Sequence, residues 1–250
     1  MIWNVKIVME QVIKINMKTL EERFGNWWRL VKNEVDKPYF KKLANYIAKR
    51  RKEIEVYPVS DNVFRAFELT NPDDVTVIWI GLDPYNNFSA WTNAPVADGL
   101  CFSTNSQDRT PPSLSKIHQA IEEDCYNDLN LELDNNLEYL AKQGVLLLNS
   151  YLTVEKFNSL SHSKIGWEEF NVSILNQLFN DNLPRFVITF GSAAKKLIEE
   201  CVLHSNIEVI NLEHPAYACR QNRKLEHKNA FSKANSFIQK HYGIEKRIKW

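Results

Sequence analysis

Residues 75–85 read VTVIWIGLDPY. The run from Val75 to Ile80 is apolar and rich in β-branched side chains, the pattern of a strand buried on both faces. It stops at Gly81. A carboxylate (Asp83), a ring that fixes φ (Pro84) and an aromatic (Tyr85) follow. Ligands bind at the carboxyl ends of strands in open α/β sheets. Asp83 cannot begin a helix, because the residue before a proline is pushed out of the α region. The turn therefore aims Asp83 into a crevice. An isolated Asp-Pro is often only loop punctuation, so the rest of the chain decides.

Working outward, three further apolar strands are expected over 145–148, 186–190 and 207–212. Helical spacing covers 20–35, 37–51, 63–67, 114–124, 137–142, 167–179, a stretch after Ser192, and 228–242. Strands alternating with helices predict an α/β fold, a central and mainly parallel four-stranded sheet with helices on both faces. Each strand ends in a polar or turn-forming group: Asp83, Asn149, Gly191-Ser192 and His214. In a parallel sheet those ends share one edge. A carboxylate, an amide, a tight turn and an imidazole then converge, an active-site arrangement. Acyl and phosphoryl chemistry remain open at this point.

Composition narrows the setting. The 250 residues carry 31 basic and 31 acidic side chains, so no global positive field marks a nucleic-acid partner, and any phosphate site must be local. Cys101, Cys125, Cys201 and Cys219 form no close pair, which speaks against a zinc or iron–sulfur site. No apolar run reaches membrane-spanning length, and the first residues lack a signal-peptide pattern. A cytoplasmic location in the DNA-containing compartment is expected, with no membrane contact and no metal. Residues 1–16 alternate without a clear period and read as an N-terminal extension; 17–250 read as a single domain. The basic run Lys49 to Lys52 reads as a solvated helix end.

The chain resembles the family 1 uracil-DNA glycosylases. The matching segments run in order: Lys37-Pro38-Tyr39-Phe40, Tyr57-Pro58, Gly81-Leu82-Asp83-Pro84-Tyr85, Gly99-Leu100-Cys101-Phe102-Ser103 and Pro111-Pro112-Ser113-Leu114. They continue through Gly144 to Asn149, Leu152-Thr153-Val154, Ser161-His162, Gly166 to Phe170, Gly191-Ser192, His214-Pro215 and Phe231-Ser232-Lys233. The resemblance implies a three-layer α/β/α fold and a monomer that flips a pyrimidine out of single- or double-stranded DNA. It then hydrolyses the N-glycosidic bond with no cofactor, as in base excision repair. It also implies roles. Asp83 and His214 are catalytic: the acid stabilises the sugar cation and positions water, and the imidazole donates to O2 of the departing base. Phe102 stacks on the base, a contact worth roughly 1–3 kcal/mol. Asn149 reads the base edge, Tyr85 packs against C5, Leu82 offers a backbone N–H, and Asn86 holds a water. The turns at Pro111-Pro112-Ser113, Gly191-Ser192 and His214-Pro215-Ala216 grip phosphates with backbone N–H groups. Tyr217, Arg220 and Arg223, with Lys195 and Lys224, complete the DNA surface.

The chain departs from the family at several of these positions. Leu82 stands where the family has Gln, and Asn86 where it has His. The segment 86–98 is longer, and includes Phe88 and Trp91. Ala216-Tyr217-Ala218 replaces a Ser-Pro-Leu whose leucine wedges into the DNA, so either Tyr217 takes that place or the wedge is missing. Three functions are therefore compatible: excision of uracil, excision of a 5-modified pyrimidine, or DNA or partner binding without catalysis.

Overall fold

The structure, a computed structural model, describes residues 18–106, 109–127 and 131–250. The expected extension over 1–16 lies outside the described residues.

Helix α1 (Leu20–Phe24) opens on a capping box in which Thr19 and Glu22 satisfy each other's backbone N–H groups. The single helix expected over 20–35 is broken: Gly25 takes φ 49°, a tight turn follows over Gly25–Trp27, and α2 (Trp28–Val35) begins anew. Pro38 starts α3 (Pro38–Glu53), where its missing N–H costs nothing. The short strand β1 (Val56–Tyr57), helix α4 (Arg65–Leu69) and strand β2 (Val77–Gly81) follow. The polar segment after Tyr85 contains a hairpin, β3 (Phe88–Ser89) with β4 (Ala94–Pro95), that sequence reading treats as irregular. Helix α5 (Pro112–Ile121) runs into a π turn at Glu122–Tyr126, then come α6 (Glu138–Ala141), β5 (Val145–Asn149) and β6 (Val154–Glu155). The C-terminal half is α7 (Trp167–Phe179), β7 (Arg185–Phe190), α8 (Ser192–Glu199), β8 (Ile207–Leu212), α9 (Pro215–Arg220) and α10 (Ala230–Tyr242).

The sheet has the order β5-β2-β7-β8, and all three pairings are parallel. Every residue of β2, β5 and β7 is buried, as the unbroken apolar runs require. Gly81 is opposite Asn149, so the carboxyl ends of β2 and β5 are level. The four strand ends named from the sequence do share one edge.

Two aromatic clusters hold the layers. Phe170 of α7 gathers Phe24, Phe40, Phe64 and Phe67. Trp79 of β2 packs against Phe190, Phe231 and Trp250. Truncating a ring of this kind to alanine costs about 3–5 kcal/mol. The basic helix end is solvated, as expected, at Lys49 and Lys52, but not at Arg50 and Arg51. Arg51 donates to the carbonyls of Val56 and Pro58 at 2.6 and 2.7 Å, and Arg50 donates to Glu155 at 2.6 Å. These bonds tie α3 to the small β1–β6 sheet.

Candidate active site

The site begins with a side chain that is missing. A Cβ on Gly81 would stand 2.3 Å from Cys101 Sγ, 2.9 Å from Asn149 Oδ1 and 3.4 Å from Phe102 Cε2. Glycine at the end of β2 therefore lets the amide and the phenyl ring close over the backbone. Asn149 is 6% exposed, and no group among the described residues bonds to its side-chain amide. Its backbone is fixed instead: Asn171 donates to the carbonyls of Asn149 and Ser150, each at 3.0 Å.

Asp83 is half-buried. Its Oδ2 accepts from Ser159 Oγ at 2.8 Å and from Leu160 N–H at 2.7 Å. Burial pushes its carboxyl above the ordinary value, and these two bonds act the other way. Tyr85 donates its hydroxyl to the Phe102 carbonyl at 2.9 Å, and the Asn86 carbonyl accepts from Phe157 N–H at 2.7 Å.

Phe102 sits at φ 62°, uncommon for a residue with a large side chain. Asp98 holds the turn that puts it there. The Asp98 carboxylate accepts from Leu100 N–H at 3.0 Å and from Ser103 Oγ at 2.6 Å, and Arg65 pairs with it at 3.0 Å. Burial raises the Asp98 carboxyl in turn, against those bonds.

His214 caps α9: its Nδ1 accepts from Ala216 N–H at 3.2 Å. The neutral ring then carries its proton on Nε2, free to donate outward. Burial first, and the charge of Arg220 second, push its pKa down to about 4, so the ring is neutral near pH 7. Gly191, at φ 94°, lies against it; a Cβ there would be 2.9 Å from that of His214. The His214 ring is 5.9 Å from that of Phe102, centroid to centroid.

These groups face one cavity of about 160 Å³, which Asp83, Tyr85, Asn86, Phe102, Ser113 and His214 all line. Leu100, Pro84 and Ser159 complete the wall. Asn149 and Leu82 are not in that lining. Asn149 lies deeper, against Gly81, and the Leu82 carbonyl accepts from Tyr151 N–H at 2.9 Å. A second cleft, about 460 Å³, shares Tyr85 and Ser113 with the first and adds Pro112, Ala216, Phe88 and Arg109. A larger polar cavity of about 1040 Å³ opens beside His118 and Asn136, but it offers no phenyl, phenol or indole ring to stack on a base. No cluster of three His, Cys, Asp or Glu among the described residues is placed to hold a metal ion.

The three turns expected from the sequence to grip phosphates are helix starts. Pro112 and Ser113 open α5, Gly191 and Ser192 open α8, and Pro215 and Ala216 open α9. Proline at the first helical position pre-sets φ, which a reading of Pro as turn-former alone misses. Unpaired N–H groups at a helix N-terminus suit anions without any net charge; at α9, however, Pro215 has none and the Ala216 and Tyr217 N–H groups are taken by His214. The basic residues differ in what is left of their charge. Arg223 is gripped by both oxygens of Glu213 at 2.6 and 2.5 Å, Lys195 pairs with Glu199, and Lys224 with Glu123. Arg220 has no carboxylate partner among the described residues and lies over the Tyr217 ring at 5.9 Å. Tyr217 is 45% exposed, whereas Ala218 is fully buried and cannot reach DNA.

Sequence reasoning missed Ser159, Leu160 and Asp98. No motif or period marks them: Ser159 and Leu160 bond to Asp83 far along the chain, and Asp98 bonds within an irregular turn. The Ser161-His162 motif, by contrast, is framework. His162 is buried, and its Nδ1 meets Thr153 Oγ1 at 2.7 Å, which also accepts from Trp167 Nε1 at 2.8 Å.

Residues 67–239 match the family model of the uracil DNA glycosylase superfamily. A uracil-DNA glycosylase of Idiomarina loihiensis is 34% identical over 216 residues, 86% of this chain and 95% of that protein. One from Schizosaccharomyces pombe is 32% identical over 248 residues, 99% of this chain and 73% of its own length. The crystal structure of mimivirus uracil-DNA glycosylase shares the fold, with a TM-score of 0.77 at 20% identity over 87% of this chain and 83% of that one. On matches of this length and identity, the chain belongs to the uracil DNA glycosylase superfamily.

Proposed function

We propose that the protein excises uracil from DNA by hydrolysing its N-glycosidic bond, leaving an abasic site for base excision repair. One observation carries this reading: Asp83 and His214 share a single cavity of about 160 Å³ with the Phe102 ring. An engineered cavity of about 150 Å³ accepts benzene. The space therefore suits one ring, and a base must leave the stack to enter it.

Phe102 stacks on the extruded base. The unengaged Asn149 amide accepts from N3–H and donates to O4 of uracil, while cytosine offers the opposite pattern. A buried mismatch of that kind discriminates by about 10⁴-fold or more. Tyr85, anchored through its hydroxyl to the Phe102 carbonyl, keeps its ring beside C5. That anchor leaves no reason to prefer a 5-modified pyrimidine, and the retained acid and imidazole argue against a purely binding role. The C1′–N1 bond breaks with its electron pair leaving on the base, and the sugar becomes oxocarbenium-like. Neutral His214 donates from Nε2 to the charge growing at O2. Ionised Asp83 faces the sugar cation and takes a proton from the water that adds to C1′. Asn86 holds that water, and Leu82 offers a backbone N–H to the base. The N-termini at Pro112-Ser113 and Gly191-Ser192 hold phosphates; at Pro215-Ala216 the Ala216 and Tyr217 N–H groups are already given to His214, so that end contributes Arg220, with Tyr217 as the exposed candidate for the wedge.

A monomer with one domain over 17–250 suffices, since a single chain supplies every residue named. The partner is DNA, single- or double-stranded, in the compartment that contains it. The test is a labelled single strand carrying one uracil, incubated with the protein and treated with alkali. A break at uracil, and none at cytosine or 5-methylcytosine, is expected. Cleavage confined to the modified base, or no abasic site on any strand, refutes the proposal.

A further inference from the structure

We infer that Ser159 is a positioning residue for Asp83: its hydroxyl and the Leu160 N–H together fix Oδ2, so that Oδ1 alone faces the reacting centre. The inference rests on the catalytic reading of Asp83 given above.

Both bonds to the Asp83 carboxylate land on the same oxygen, at 2.8 and 2.7 Å. They come from one loop, and that loop is clamped to the Asp83 turn a second time by the Phe157 N–H on the Asn86 carbonyl at 2.7 Å. The loop is braced from within. Ser161 Oγ accepts from Glu155 N–H at 2.8 Å, and the Asn158 carbonyl accepts from Ser161 N–H at 3.2 Å. Phe157 and Leu160 adopt left-handed backbones, φ 58° and 62°, uncommon for residues with a Cβ. Such conformations persist where surrounding contacts dictate them, often at functional sites. Ser159 itself lines the 160 Å³ cavity beside Asp83 and His214. No cation pairs with Asp83 among the described residues, so these two donors, together with its own backbone N–H, are its counterweight to burial.

A hydroxyl that donates to the ionised acid stabilises that form. Hydrogen bonds to charged groups imply a change of about one pKa unit when one is removed. The other titratable groups facing Asp83 are Tyr85 on its own turn, Tyr151 beyond β5 and His214 beyond β8. Burial raises both phenols, Tyr151 to about 12, so they stay neutral. Burial pushes the His214 pKa down to about 4 and the Asp83 carboxyl up, toward each other, so an activity profile alone would merge the two.

The experiment therefore reads the carboxyl directly. In protein carrying ¹³C-labelled aspartate, the Asp83 side-chain resonance is identified by its loss in Asp83→Asn and followed against pH. Ser159 is exposed, so Ser159→Ala leaves the core intact. The expected result is an Asp83 titration about one pH unit higher in Ser159→Ala. The acidic limb of kcat/KM for uracil release moves the same way, with KM unchanged. Ser159→Thr, which keeps a donor, restores the wild-type titration. An Ser159→Ala titration that coincides with wild type, or an Ser159→Thr titration displaced as far as that of Ser159→Ala, overturns the inference. If the wild type releases no uracil while Ser159→Ala still moves the titration, the clamp stands and the proposed function fails.

Discussion

Gly81→Ala separates space from backbone strain. Gly81 lies outside the left-handed region, so alanine meets no penalty there. All the cost comes from the new methyl group. Ordinary contact begins at 3.4 Å, whereas Cys101 Sγ and Asn149 Oδ1 would be 2.3 and 2.9 Å away. The thiol must therefore retreat by about 1 Å and the amide by about half that. Cys101 is fully buried and its N–H is tied to the Leu147 carbonyl at 3.1 Å, so the thiol has nowhere to go. Overpacking of this kind costs about 1–3 kcal/mol, and at about 2–4 °C per kcal/mol the Tm falls by about 2–12 °C. Displacing a substrate-positioning group by 1 Å costs about 10²-fold, so half that distance at Asn149 costs about tenfold in kcat/KM. Gly81→Ala/Cys101→Ala divides the two effects. Removing Sγ relieves the steric stress and restores most of the Tm, but the methyl still presses on Asn149 and activity stays low. Thermal unfolding followed by circular dichroism and uracil release are the assays. A single variant with wild-type Tm, or a double variant that recovers activity along with stability, refutes the packing argument.

Asp83→Asn should lower turnover strongly and leave the Kd for uracil DNA within about a few-fold, because the acid acts on the sugar cation formed after binding. Since burial raises the Asp83 pKa and its ionised form is the active one, turnover in the wild type should fall as pH drops through that raised value. Turnover by Asp83→Asn equal to that of the wild type contradicts the assignment. His214→Leu should cost about 10²-fold or more in kcat, by analogy with removal of an oxyanion donor; a variant as fast as wild type excludes that role. Arg220→Ala should reduce the slope of log K against log salt by about one, whereas Arg223→Ala should barely change it, because Glu213 already holds that guanidinium. Equal slopes for the two variants would show that the pairing does not decide which arginine meets phosphate.

Much of the fold was legible because burial writes itself into local pattern. The 13-residue helix Trp167–Phe179 and the strand Ile207–Leu212 fall where the periods put them. Asp83, Phe102 and His214 were legible too, because strand ends and motif spacing mark them. What escaped depends on partners far along the chain. β1 and β6 are two-residue strands that pair Val56 with Glu155 and Tyr57 with Val154, a contact with no local period. The break at Gly25 hides inside a helical spacing that continues on both sides of it. Arg50 and Arg51 look like a solvated helix end until Glu155, Val56 and Pro58 arrive from elsewhere to accept their hydrogen bonds. Ser159 belongs to the same class, whereas Asp98 escaped for a different reason: its partners Leu100 and Ser103 are local, but a polar residue in an irregular turn carries no sign of the group it will hold.

The departures at Leu82 and Asn86 follow a common rule. In both, the turn uses the main chain: the Leu82 carbonyl receives Tyr151 N–H, and the Asn86 carbonyl receives Phe157 N–H. Any side chain at 82 or 86 that tolerates the turn leaves those bonds intact, so the frame around Asp83 does not depend on the amide and imidazole that the related family carries there. Asp83 is steadied from the opposite side, by a hydroxyl and a backbone N–H on the loop that Asn86 itself anchors. The phosphate contacts proposed above follow the same rule, because the helix N-termini of α5 and α8 supply donors that owe nothing to side-chain charge. That is how a chain with 31 basic and 31 acidic residues can present a DNA-binding edge. The positive charge left near that edge is that of Arg220 and of Arg109 in the adjoining cleft, neither of which has a carboxylate partner among the described residues.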